Sequence, residues 1–228
     1  MQNIKDYILQ QIGISVSPSM EIELATYCEF LLAENEKYNL TAITDPAAVW
    51  EKHFADSLLA CQLLPQGATL CDVGSGAGFP ALPLKIARQD ISVTLVDSLE
   101  KLVRFQKTLC EKIGVDAECI HARAEDFAKT HSEAFDVATA RAVAPLSIVL
   151  EYTAQLVKIG GIVLAYKTDT SELAAAETAC KMLGLTFKTF QSFVLPDGSN
   201  RAILVFEKTS QTPSKYPRGQ NKPRKQPL

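Results

Sequence analysis

The sequence predicts an α/β fold in which a mostly parallel sheet ends in an antiparallel hairpin and follows a purely helical N-terminal segment. Three observations carry this. From Ala68 onward, short runs rich in Val, Ile and Leu alternate with helical periodicity, as in a parallel sheet covered on both faces. The last two apolar runs, 185–194 and 201–207, flank the turn chemistry of Pro196-Asp197-Gly198-Ser199-Asn200. Residues 1–64 show helical spacing alone.

In that first stretch, Leu24, Tyr27, Cys28 and Leu31 share one helix face and Val49, Trp50, Phe54, Leu58 and Cys61 another. Two or three helices are predicted, with starts at Pro18 and at Thr44-Asp45-Pro46 and a loop over Tyr38-Asn39-Leu40-Thr41-Ala42-Ile43. Strands are predicted at 69–73, 91–96, 116–120, 135–140 and 160–166, with helices at 79–88, 99–113, 123–129, 145–157 and 170–183. With the hairpin this makes seven strands. The expected organisation is a helical extension over 1–64, a catalytic domain over 65–208 and a basic tail over 209–228.

Composition bounds the function. With 47% apolar and 21% charged residues, the 228-residue chain has the makeup of a globular domain, and no apolar run approaches the roughly 18 residues of a membrane span. The six cysteines are scattered without a C-x-x-C pair, and His53, His121 and His131 lack metal-ligand spacing, so buried thiols in a cytoplasmic protein without a metal are expected. The net charge is −3, yet the segment from Lys215 to Leu228 holds Lys215, Arg218, Lys222, Arg224 and Lys225 and no acid; it is +5, which leaves −8 on the remainder. A polyanionic partner for the tail is therefore expected.

The stretch Leu70-Cys71-Asp72-Val73-Gly74-Ser75-Gly76-Ala77-Gly78-Phe79-Pro80 is a strand that ends in an acid and runs into a glycine loop. Gly74, Gly76 and Gly78 let backbone turn sharply against a ligand. Their spacing is G-x-G-x-G, and Asp72 suits a cationic or hydroxyl-bearing ligand better than a pyrophosphate. Nineteen residues beyond Gly78, Asp97 ends the next strand, where a carboxylate accepts hydrogen bonds from both ribose hydroxyls of an adenosine. The combination fits S-adenosylmethionine; NAD would satisfy Asp97 equally, and the glycine spacing argues against it. After the third strand, the Ala124 backbone and Glu125 side chain are placed to receive an adenine edge. After the fourth, Arg141 stands where it would hold the methionine carboxylate or RNA, in a chain that lacks the Asn-Pro-Pro-aromatic motif of many amine methylases.

These residues, with Tyr38-Asn39-Leu40-Thr41-Ala42-Ile43, His53-Phe54-Ala55-Asp56-Ser57-Leu58, Val96-Asp97-Ser98, Arg123-Ala124-Glu125, Arg141-Ala142-Val143-Ala144, Tyr216-Pro217-Arg218 and Pro227-Leu228, make the sequence resemble the bacterial glucose-inhibited division protein B family, also called ribosomal RNA small-subunit methyltransferase G. The resemblance implies a class I S-adenosylmethionine-dependent methyltransferase of Rossmann-like fold. Such an enzyme methylates ring nitrogen 7 of a guanine in 16S ribosomal RNA, as bare RNA or in the small subunit, and a monomer is expected. It also implies that Gly74, Phe79, Ala124, Glu125 and Arg141 contact the cofactor. Ala81, Leu102 and Gln220-Asn221 depart from the family's pattern. Guanine nitrogen 7 already has an in-plane lone pair, so no general base is needed, and His53, Asp56 and Lys167 are expected as positioners; the i, i+3 spacing of His53 and Asp56 equally suits a structural hydrogen-bonded pair. Asn39, His53 and Lys167 are expected to touch RNA. Punctuated by Pro213, Pro217, Pro223 and Pro227, the tail is predicted to be non-helical. Lys215, Arg218, Lys222, Arg224 and Lys225 would lie along phosphates and Tyr216 would stack on a base. Two other readings stay open: an NAD-dependent oxidoreductase, and a ribosome-assembly factor that keeps the pocket without turnover.

Overall fold

The computed structural model describes residues 2–142 and 144–228; Met1 and Val143, the latter within the Arg141-Ala142-Val143-Ala144 motif, lie outside the described residues. Helix α1 (Gln2–Tyr7) continues as a π turn over Ile8–Ile12. Helix α2 (Pro18–Tyr38) starts as its sequence dictates, with the Ser17 hydroxyl accepting from the Met20 amide at 3.2 Å and Pro18 in the first turn, and ends at Asn39 in a left-handed conformation. Helix α3 (Pro46–Val49) is capped by Asp45, passes through a wide π turn over Trp50–Ala55 and closes as α4 (Asp56–Leu58). The sequence predicts one regular helix there. The widened turn is the difference, and it carries His53.

The rest alternates: β1 (Thr69–Val73), α5 (Ala81–Ala87), β2 (Ser92–Asp97), α6 (Glu100–Ile113), β3 (Glu118–His121), α7 (Ala124–Thr130), β4 (Phe135–Arg141), α8 (Leu146–Ala154), β5 (Val157–Lys167), α9 (Leu173–Leu183), β6 (Leu185–Val194) and β7 (Asn200–Lys208). The strand order is β3-β2-β1-β4-β5-β7-β6, parallel from β3 to β5, with β7 antiparallel to both β5 and β6. The predicted helix over 145–157 is shorter than expected, because Val157 already belongs to β5 and pairs with Phe135 across a register shift. Gly161 makes that bulge possible: a Cβ there would lie 2.6 Å from the Asp136 carbonyl.

Successive strand residues enter different cores, as two-faced burial requires. Val137, Leu164 and Tyr166 join Tyr27, Leu31, Phe54 and Leu82 in the cluster that ties the N-terminal helices to the sheet. Ala138, Val163, Ala165 and Phe206 join α8 and α9 in a second. Five of the cysteines are buried free thiols and Cys180 is half-buried. No helix among the described residues is long and apolar enough to cross a membrane.

The tail departs most from expectation. Tyr216 is 4% exposed and belongs to the second core cluster, so its ring is not available to stack on a base. Arg218 grips the fully buried Glu151 of α8 with Nε at 2.8 Å and Nη2 at 2.7 Å, and its own amide donates to Oε1 at 2.9 Å; it is therefore no phosphate contact. Lys222–Lys225 forms a helical turn (α10) with Pro223 in its first turn, where a missing amide costs nothing. The physical reason is that Glu151, a fully buried carboxylate on α8, needs a partner, and among the described residues the tail supplies it through Arg218. Arg218→Met should therefore lower stability by about 3–5 kcal/mol. Thermal unfolding checks this: an unchanged midpoint would show the strap to be undocked, whereas the double variant with Glu151→Leu should recover most of the loss.

Candidate active site

The loop after β1 is built by its three glycines and by partners outside it. Gly74, Gly76 and Gly78 have φ of 69°, 59° and 97°, values an L side chain rarely adopts. The Gly74 amide donates to the Val96 carbonyl at 2.8 Å, which pins the loop to the end of β2. The Asp97 carboxylate accepts from the Gly76 amide at 2.9 Å and from the Leu99 amide at 2.9 Å. From α6, the fully buried Gln106 donates to Ser75 Oγ at 2.8 Å and to the Gly76 carbonyl at 2.7 Å. From α2, Tyr27 donates to the Ala77 carbonyl at 2.5 Å. Sequence reasoning missed Gln106 and Tyr27. A signal existed for the first, because Gln106 is the polar member of the α6 face formed by Leu102, Val103, Phe105 and Leu109.

Above this loop lies a cleft of about 290 Å³, near the lower end of ligand-site volumes, whose wall includes Gly74, Asp97, Leu99, Ala124, Glu125 and Arg141. The structure thus brings together residues predicted from the ends of four different strands, because parallel strands place their C-terminal loops along one edge. Gly76 and Gly78 shape the loop from within, and Phe79 forms part of the core beneath it. Asp72 is also not in the wall: it is fully buried, and burial pushes its carboxyl well above the usual range, against the opposing pull of the Ala81 amide and the Arg141 cation. The expected direct contact with a cationic ligand is thereby corrected to an acid lying below the loop.

These features fit S-adenosylmethionine. A Cβ-free cradle leaves room for the ligand, two carboxylates stand at the cleft, and Asp97 retains lone pairs for ribose hydroxyls beyond the two amides it already accepts. Leu99 and Leu102 add apolar wall suited to a purine face.

Beyond Arg141 lies a second cavity of about 460 Å³, lined by Lys52, His53, Asp56, Ala142, Lys167 and Arg201 among others. Arg141 belongs to both walls. Its Nη1 donates to the Lys52 carbonyl at 3.0 Å and to Asp56 at 2.8 Å, its Nη2 bonds His53 Nδ1 at 2.9 Å, and the guanidinium lies 5.1 Å from the centroid of Phe79. Because arginine has only donors, Nδ1 is the acceptor, so the proton sits on Nε2 and is donated to Thr41 Oγ1 at 2.8 Å. Burial first, and then the Arg141 cation, push His53 down to about 3, which keeps the ring neutral. His53 and Asp56 do not pair with each other as expected; both converge on Arg141, and Asp56 also accepts from Arg201 at 3.0 Å.

Lys167 lies in this wall, but its Nζ is taken by Glu172 at 2.9 Å and the Ala144 carbonyl at 2.9 Å, so it offers no unpaired cation to RNA. Asn39 is exposed at the end of α2 and is not among the cavity's lining residues; the neighbour that orders this loop is the buried Asn35, whose Oδ1 accepts from Leu40 and Thr41 at 2.6 and 2.8 Å. Lys215, Lys222 and Lys225 are exposed on the docked tail.

Comparison with known proteins gives the family and the fold. The family model described as rRNA small subunit methyltransferase G matches residues 20–203. Proteins named ribosomal RNA small subunit methyltransferase G from Leuconostoc citreum and Streptococcus gordonii are each 42% identical to this chain. The first match covers 96% of both chains and the second 97% of both. Among solved structures, an S-adenosylmethionine-dependent methyltransferase from Aquifex aeolicus superposes with a TM-score of 0.55 at 14% identity, covering 74% of this chain and 97% of that one. A Bacillus subtilis tRNA methyltransferase does so with 0.55 at 12%, covering 72% and 68%. The sheet order, the glycine cleft and these matches place the fold among S-adenosylmethionine-dependent methyltransferases, and the chain belongs to the ribosomal RNA small-subunit methyltransferase G family.

Proposed function

We propose that this protein transfers a methyl group from S-adenosylmethionine to ring nitrogen 7 of a guanine in 16S ribosomal RNA. The observation that carries the reading is the shared wall: one side of Arg141 bounds the glycine cleft and the other bounds a cavity large enough for a nucleobase. Asp97 would hold the ribose, the Ala124 backbone and Glu125 would meet the adenine edge, and Gly74 would let the ligand lie against the backbone. When bound, S-adenosylmethionine supplies an electrophilic sulfonium methyl.

The protein's part is alignment. Guanine nitrogen 7 attacks with an existing lone pair, no proton leaves, and the reaction calls for neither base nor metal. The neutral His53 cannot oppose the positive charge that develops on the base. Asp56 and Glu172 line the same cavity, where each already offsets a neighbouring cation, Asp56 those of Arg141 and Arg201 and Glu172 that of Lys167. Lys215, Lys222 and Lys225 contribute the salt-dependent phosphate attraction. We read the chain as a cytoplasmic monomer with a helical extension over 1–64, a catalytic domain over 65–208 and a tail over 209–228.

Incubation with methyl-labelled S-adenosylmethionine and small ribosomal subunits or their naked RNA, followed by cleavage mapping of 7-methylguanosine, should find one labelled guanine. Absence of label in every RNA preparation rejects the proposal. Asp97→Ala should weaken binding of S-adenosylhomocysteine at least a hundredfold, because it removes charged acceptors from two loop amides and from the ribose together, each worth about 1.5–3 kcal/mol. Calorimetry showing near-normal affinity would remove Asp97 from the site.

A further inference from the structure

The tail leads to the cofactor cleft. Beyond β7 the chain passes α9, where Thr212 donates to the Leu183 carbonyl at 2.6 Å, then buries Tyr216 and Pro217 and locks onto Glu151 through Arg218. Held there, it turns through Gln220 and Asn221, with φ of 59° and 58°, and α10 follows. Asn221 tolerates the left-handed region readily, whereas Gln220 is a residue that seldom adopts it.

The outcome of this path is that Asn221 and Arg224 join Gly74, Asp97 and Glu125 in the cleft wall. The Asn221 amide lies 3.4 Å from Glu125 Oε1, and the Arg224 cation acts on the Tyr152 hydroxyl, also in the wall. The sequence assigns Arg224 to phosphates along with its lysine neighbours. Lys222, Arg224 and Lys225 are all exposed, but of the three it is Arg224 that lines this wall.

We propose that Asn221 and Arg224 are a C-terminal part of the cofactor site, closing it at the adenosine end. The Asn221 amide orients the Glu125 carboxylate, and the Arg224 guanidinium presents planar surface and donors to a purine, whose ring nitrogens are acceptors. Affinity for the methyl donor and its demethylated product then depends on the tail. This rests on the assignment of the cleft to S-adenosylmethionine.

Calorimetry with S-adenosylhomocysteine on the full chain tests it, with filter binding of 16S ribosomal RNA and thermal unfolding measured on the same samples. Arg224→Ala should weaken S-adenosylhomocysteine binding more than fivefold while its unfolding midpoint stays at the wild-type value. Lys225→Ala, which removes the same charge one residue away, should leave that affinity within twofold. A loss of less than fivefold in Arg224→Ala, or an equal loss in both variants, overturns the proposal, the second by reducing the effect to general electrostatics. If the wild-type protein itself fails to bind S-adenosylhomocysteine, the cofactor assignment falls, and the tail's role with it.

Discussion

Arg141→Leu should lower stability by about 3–5 kcal/mol, because it leaves Asp56, 4% exposed, with one arginine in place of two and strips the donor from His53. The lower end applies, since Arg201 stays on Asp56. Methyl transfer should fall at least a thousandfold, about 4 kcal/mol of barrier, because the residue that separates and aligns the two cavities is lost. Single-turnover methylation and thermal unfolding measure the two effects. Full activity in Arg141→Leu would mean that the shared wall does not align the reactants. Arg141→Lys should restore part of the stability through Asp56 but not the rate, because an ammonium cannot reproduce the planar fork that meets Lys52, His53 and Asp56 together.

Gly78→Ala should be the most damaging single-atom change in the glycine loop. A Cβ at Gly78 would stand 2.5 Å from Leu82 Cδ1 and 2.8 Å from the Tyr27 hydroxyl, at a φ of 97°. The leucine methyl can yield, but the tyrosine is fully buried and bonded to Ala77, so the loop itself must move. Left-handed strain of about 1–3 kcal/mol adds to the clash, and S-adenosylhomocysteine binding should drop below detection. Gly67→Ala is the control: its φ is 67°, yet nothing lies within 4 Å of its Cβ, so it should cost only the backbone strain and leave binding intact. Urea unfolding and calorimetry compare the two; equal behaviour would show that the contact with Tyr27 is unimportant.

Much of the cleft is legible in the sequence because it is made of local patterns at strand ends. Asp97, Ala124-Glu125 and the glycines each follow a recognisable strand, and the parallel topology then places them along one edge without further information. The supports are less legible. Gln106 and Tyr27 reach the loop from 30 and 50 residues away, and no periodicity marks a side chain that serves a distant backbone. The predicted pairing of His53 with Asp56 follows the spacing of a regular helix. The wide turn over Trp50–Ala55 and the arrival of Arg141 from β4 redirect both side chains.

From its own residues the chain determines seven strands with a closing hairpin, the glycine loop with its acid partner, and a concentration of positive charge at the C-terminus, since each follows from local composition and spacing. Only the folded molecule decides what the cations do. Charge read along a sequence is additive, but in three dimensions a buried carboxylate claims its counter-ion: Glu151 takes Arg218 and Asp56 takes Arg141 and Arg201, while the half-exposed Glu172 takes the largely buried Lys167. That selection turns a tail expected to lie on RNA into a strap docked beside the cofactor cleft.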